Sequence, residues 1–478
     1  MLFNSLGFAL FLPIVFILYW FVANRNLKFQ NVLLLASSYF FYACWDWRFL
    51  FLLLFSTLLD YLSGLKIEKA KNKNHKKFWF YLSIIINLGF LGFFKYFNFF
   101  AESFGELLSQ FGLQVNPWTL KVILPVGISF YTFHGLSYVI DIYKGRIKAE
   151  RSFLIYGVFV SFFPLLVAGP IERATHLLPQ IQKKRTFDHD HAVDGLRQIL
   201  WGLFKKIVIA DQCAIYANEV FNNSEMYSGS ALLLGAVFFA FQIYCDFSGY
   251  SDIAIGTAKL FGIDLLRNFA YPYFSRDIAE FWRRWHISLS TWFRDYLYIP
   301  LGGSKGNVVT KVRNTFIIFI ISGFWHGANW TFIAWGALNA IYFIPLLLLD
   351  KNRNNLDIIA AGKYLPGIKD FFKMILTFML VVLAWIFFRA DDLPHAFQYI
   401  STIFSNSLFK DPLLIPTTVK VFVPIFLIVE WLGREHQFGI SNMRNIRPGV
   451  IRWSIYLIIL AVIYVYSGNS QEFIYFQF

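Results

Sequence analysis

Residues 267–330 read RNFAYPYFSRDIAEFWRRWHISLSTWFRDYLYIPLGGSKGNVVTKVRNTFIIFIISGFWHGANW. Arg283, Arg284, His286, Arg294, Lys305, Lys311, Arg313 and His326 gather here, in a chain that is otherwise mostly hydrocarbon. Ionisable groups at membrane depth are expensive, and where they occur they mark a site. Ile278, Phe281, Trp282, Trp285, Leu289, Trp292 and Phe293 recur at helical spacing, with Asp277, Glu280, Arg283, Arg284 and Ser288 filling the rest of the turn. That pattern predicts one amphipathic helix lying at the cytoplasmic surface or dipping into the membrane, bounded by turn residues at 268–272 and 300–304. Further on, FIIFIISGFW precedes His326 and GANWTFIAWGALNAIYF follows it. The histidine is therefore expected inside an apolar hairpin or a broken helix.

Hydrophobic residues make up 57% of the 478 and charged residues 15%, against about 25% charged in soluble proteins. At ~20 apolar residues per span, the composition predicts an all-α polytopic integral membrane protein. About eleven transmembrane helices are expected, with re-entrant or interfacial pieces between them. No composition break divides the chain, so one membrane domain, 1–478, is expected. Residues 2–22 lack a basic leader and a small-residue cleavage site, and their apolar run is too long for a signal peptide, so they read as a span. The net charge of +14 fits basic loops facing anionic lipid, and nothing interleaves basic blocks with a nucleic-acid-binding fold. Cys44, Cys213 and Cys245 are scattered with no CxxC pair, which points to neither a zinc site nor a disulfide framework.

Basic clusters at 24–28 and 66–77 flank two short apolar stretches separated by Asp46 and Arg48. They predict a helical hairpin with its turn on the outer side. A span over 78–100 leads to an outer loop at 101–117, and a span over 122–142 carries His134 among aromatics. A core histidine bonded to a neighbouring helix is the simpler reading of His134. AGPIER, ending at Arg173, breaks its helix where irregular backbone is tolerated only under cover or beside a wet cavity. His189 and His191 flank Asp190 in a polar loop with no further ligands at metal spacing. Lys205 and Lys206 either snorkel or face a polar interior. Asp246 and Asp252 are expected to pair with basic residues of an adjacent stretch. The closing QEFIYFQF is too short to span and is expected at an interface.

The run YPYFSRDIAEFWRRWHISLSTWFRDYLYIPLGG at 271–303, with SGFWHGANW at 322–330, resembles the membrane-bound O-acyltransferase family. The closest likeness is to its bacterial branch, the membrane components of alginate and peptidoglycan O-acetylation, and the D-alanyl-lipoteichoic acid transferase is a more distant relative. The resemblance implies an acyltransferase of the bacterial inner membrane that draws acetyl from cytoplasmic acetyl-CoA. The acyl group then moves outward toward a polysaccharide, with a separate SGNH-type acetyltransferase completing delivery. His326 matches the family's membrane-embedded histidine and is expected to be the general base. His286 matches a second site position and is expected to orient the acyl group or polarise its carbonyl. Arg283, Arg284 and Arg294 suit the phosphates of coenzyme A or, alternatively, lipid headgroups. Trp285, Trp325 and Asn329 would line the passage, and no metal or resident cofactor is implied. No GxSxG elbow is present, which favours direct transfer. D-alanyl transfer is the rival within enzymes, and a flippase without chemistry is the rival outside them, although the inverted repeat expected of many transporters is missing.

Overall fold

The computed structural model describes residues 1–113, 119–120, 124–167, 169–412, 416–469 and 471–476, and all their regular structure is helical. Parts of the expected outer loop at 101–117, the start of the span at 122–142, Ala168 of AGPIER and the last two residues of QEFIYFQF lie outside the described residues. Eight helices among those described are long and apolar enough to cross a membrane. Ile128–Tyr143, which overlaps the span expected over 122–142, has 16 residues, and Thr417–Gly433 has 17.

The chain packs as two compact units, residues 1–195 with 257–266, and residues 196–256 with 267–478. One boundary falls inside the uninterrupted helix Gly229–Leu260 rather than in a polar linker, so composition gave no hint of it.

In the first unit, Leu27–Asp46 and Arg48–Lys69 form the expected hairpin, broken at Trp47, where Asp46 and Arg48 pair at 2.6 Å. Several buried polar groups here are matched by protein partners, as groups cut off from water tend to be. Asp60 accepts from Ser83 Oγ at 2.6 Å and Asn87 Nδ2 at 2.8 Å. His134 Nε2 accepts the Glu172 backbone N–H at 3.0 Å, which ties the irregular AGPIER backbone to a helix. Glu172 in turn accepts from the Leu266 N–H at 2.6 Å and pairs with His176 at 2.8 Å. That contact raises the His176 pKa above its ordinary value.

The second unit carries the 267–330 stretch. Val308–His326 and Trp330–Leu348 form a tight helical hairpin. A Cβ on Gly323 would run into Phe332 O and one on Gly336 into Phe319 O, so the two glycines let the backbones touch, as small residues do at membrane helix interfaces. Lys205 and Lys206 are buried and paired rather than snorkelling. Lys205 meets Asp252 at 2.6 Å, and Lys206 meets Asp211 at 2.7 Å and Asp246 at 2.8 Å. Both lysines lie in a π-helical segment, Phe204–Ala210, a form that often occurs at functional positions.

One expectation is corrected. The amphipathic run is two seven-residue helices, Ile278–Arg284 and Ile287–Phe293, instead of one. The break is imposed from outside the run: Arg284 O accepts the Ala270 N–H at 3.0 Å, and Asn268 O accepts the Ile287 N–H at 2.9 Å. Within the described part of QEFIYFQF, Phe473 and Ile474 pack inside the protein at 0% and 1% exposed, while Glu472 is exposed.

Candidate functional site

The break leaves His286 in the left-handed region at φ +42°, which a non-glycine residue occupies only when its surroundings compel it. Asn268 does the compelling, since its side chain also accepts from Ser288 Oγ at 2.6 Å. The imidazole sits between Phe247 (4.7 Å between ring centroids) and Trp325 (6.0 Å). Neither of its ring nitrogens has a hydrogen-bond partner among the described residues. Burial in this aromatic cage pushes its pKa down to about 3, so the ring is neutral, with one N–H to donate and one lone pair to accept. A buried polar side chain left unmatched calls for an explanation, and a cavity beside it provides one.

That cavity, of about 240 Å³, is lined by His286 and His326 together with Trp285, Arg294, Tyr298 and Ser322 among others. His326 ends the helix Val308–His326. Its ring is held by Trp325 at 4.8 Å, Trp335 at 5.2 Å and Phe388 at 5.3 Å. Immediately past it the chain opens onto a second cavity of about 450 Å³, lined by Gly327, Asn329, Thr331, Phe388 and Asp391 among others. His326 thus closes the inner end of one cavity, and its next residue opens the other.

Of the residues expected from sequence, His286, His326, Trp285 and Arg294 share the first cavity. Trp325 is 6% exposed and fills the space between the two histidines. Asn329 lines the second cavity instead, where it caps the helix Trp330–Leu348 and donates to Asp391 O at 2.8 Å. Arg283 and Arg284 do not line the first cavity. Arg283 donates to the carbonyls of Asn352 and Asn355, each at 2.7 Å. Arg284 donates to Glu280 at 2.8 Å and to Asp357 O at 2.9 Å. Arg276 adds a contact to Asp357 at 2.9 Å, holding that carboxyl below its usual pKa. These guanidinium groups fasten the 352–357 loop, and the loop places Asn352 and Arg353 on the cavity lining.

Sequence reading missed Thr315, Ser322, Tyr298 and Arg353 as cavity residues. Thr315, Phe319, Ser322 and His326 follow the i, i+4, i+7, i+11 rhythm of one helix face, so the first two were recoverable. Arg353 was not, because only the loop's attachment brings it there.

The fold is that of a polytopic helical membrane protein, and its candidate site is a buried pair of histidines on one cavity, with a second cavity beginning one residue past His326. The profile of MBOAT, the membrane-bound O-acyltransferase family, matches residues 144–387. The chain is 42% identical over 408 residues to the probable alginate O-acetylase AlgI of Pseudomonas aeruginosa, covering 85% of this chain and 75% of that protein. It is 32% identical to the peptidoglycan O-acetyltransferase of Helicobacter pylori, over 100% of this chain and 98% of that one. A teichoic acid D-alanyltransferase of Streptococcus thermophilus is 30% identical over 61% of this chain and 75% of its own length. The chain belongs to the membrane-bound O-acyltransferase family.

Proposed function

We propose that this protein is an O-acetyltransferase of the bacterial inner membrane. It takes acetyl from cytoplasmic acetyl-CoA and passes it outward toward a polysaccharide, and an SGNH-type acetyltransferase completes delivery. The observation that carries the reading is the pairing of His286 and His326 on one cavity, with a second cavity opening one residue beyond His326. Family membership and the names of the O-acetylating relatives support the acetyl group as cargo.

In this reading the thioester enters the first cavity, with Arg294 and Arg353 near its anionic portion. The neutral His326 imidazole accepts the proton of an acceptor hydroxyl. The hydroxyl oxygen bonds to the acetyl carbonyl carbon while the carbonyl electron pair shifts to its oxygen, where the His286 N–H donates. Collapse re-forms the carbonyl, breaks the carbon–sulfur bond and returns the proton from His326 to the departing thiolate. The product is an acetyl ester plus free coenzyme A.

The test is purified protein in liposomes given radiolabelled acetyl-CoA, a hydroxyl-rich glycan and an SGNH partner. Ester-linked label with matching release of coenzyme A is expected. No release from acetyl-CoA, together with turnover of a D-alanyl thioester on a carrier protein, would replace acetyl with D-alanyl.

A further inference from the structure

The 471–476 segment, whose Phe473 and Ile474 are buried, is held by two backbone anchors. Lys206 Nζ donates to Gln471 O at 3.0 Å, and Asp246 Oδ2 accepts the Ile474 N–H at 2.7 Å. Its side chains interleave with the same face of the helix Gly229–Leu260 that bears Asp246. Phe473 lies 4.3 Å from Tyr250, and Tyr475 lies 4.5 Å from Phe247, between ring centroids. The far side of Tyr475 faces the site, with its ring 5.7 Å from that of His326. Phe247 is shared, since its other neighbour is His286 at 4.7 Å. The segment therefore reaches both site histidines, one directly and one through a single ring.

Two adjacent buried lysines allow a comparison inside one turn. Lys205 pairs with Asp252 and donates to Ser248 at 3.0 Å, and neither Lys205 nor Asp252 bonds to the segment. Lys206 pairs with Asp211 and Asp246 and, with Asp246, holds the segment's backbone. Residues 471–473 are coil and Ile474–Phe476 a single short helical turn, and their unpaired backbone groups need donors and acceptors supplied by the surroundings. A buried ion cluster that merely cemented helices would be replaceable by apolar packing. One that supplies backbone partners to such a segment is not.

We propose that the Lys206–Asp211–Asp246 cluster is a positioning device that docks the 471–476 segment, through Tyr475, against His326 and so fixes the position of that ring. The docking stands on contacts alone, whereas its effect on turnover rests on the acyl-transfer reading above. Lys206, Asp211 and Asp246 are positioning residues that act through the segment.

Two readouts separate these layers. The first is thiol labelling of Ile474→Cys in a Cys44→Ser background, which removes the exposed native thiol while Cys213 and Cys245 are buried. Asp246→Ala should raise the labelling rate at least tenfold, and Asp252→Ala should leave it within twofold. Equal labelling in the two folded variants would overturn docking, whatever the enzyme transfers. The second is steady-state kinetics on the folded fraction. Asp246→Ala should lower kcat at least tenfold with donor KM within twofold, whereas Asp252→Ala should lower yield without lowering kcat. If Asp246→Ala does not accumulate, the chain shortened to residue 470 takes its place, and it should reach the membrane with kcat reduced at least tenfold. Full turnover by that shortened protein would overturn the positioning role.

Discussion

His134 and His286 are both buried histidines among aromatic rings, and each is 1% exposed. They differ in what meets their nitrogens. His134 accepts a backbone N–H from Glu172 and so joins two pieces of its unit. His286 has neither nitrogen matched among the described residues, sits on strained backbone and borders a cavity. Burial alone therefore does not identify a working histidine. The distinguishing feature is polar capacity held open toward a space that a ligand can enter.

The sharpest way to test that contrast is at the cavity's inner end. His326→Ala should cut acetyl transfer by about 10²–10⁴-fold, the usual contribution of a general base, while the protein still accumulates in membranes. Unreduced ester formation would remove His326 from the chemistry. His286→Ala should cost about 10²–10³-fold in kcat, as expected on losing a donor to a developing oxyanion. Its thermal stability should change less than that of His134→Ala, and the reverse order would break the contrast between the two histidines. His134→Ala strands the buried Glu172 N–H and should destabilise by about 1–3 kcal/mol, measured as a lowered unfolding midpoint in detergent, with kcat of the folded fraction unchanged. The smallest effect is expected at the rim. Arg353→Ala should raise donor KM by roughly fivefold or less, because exposed charges are screened and worth about 0.2–1 kcal/mol. Arg283→Ala should act instead by loosening the 352–357 loop, visible as faster proteolysis there.

Much of this was legible in residue order. His326 stood out because a long apolar run surrounds it, and the pairing of Asp246 and Asp252 with basic neighbours followed from the cost of lone charges in hydrocarbon. The break at His286 was not legible, since the apolar rhythm continues across it and the cause lies in hydrogen bonds from Asn268 and Ala270. The packing of the 471–476 segment was not legible for a related reason. Its anchors, Lys206 and Asp246, are 265 and 228 positions away in the chain, and local hydropathy carries no trace of partners that remote. Arg283 and Arg284 look like ligand contacts in sequence because guanidinium groups suit phosphate. Folding instead gives their donors to loop carbonyls and to Glu280.

The touching backbones at Gly323 and Gly336 leave the hairpin that bears His326 no slack to open or slide. Any accommodation of a bulkier cargo must then come from trimming side chains on the opposite wall, such as Leu289 or Phe293. The hairpin acts as a fixed ruler, and descendants of this sequence that handle longer chains would keep both glycines while carrying smaller residues across from them.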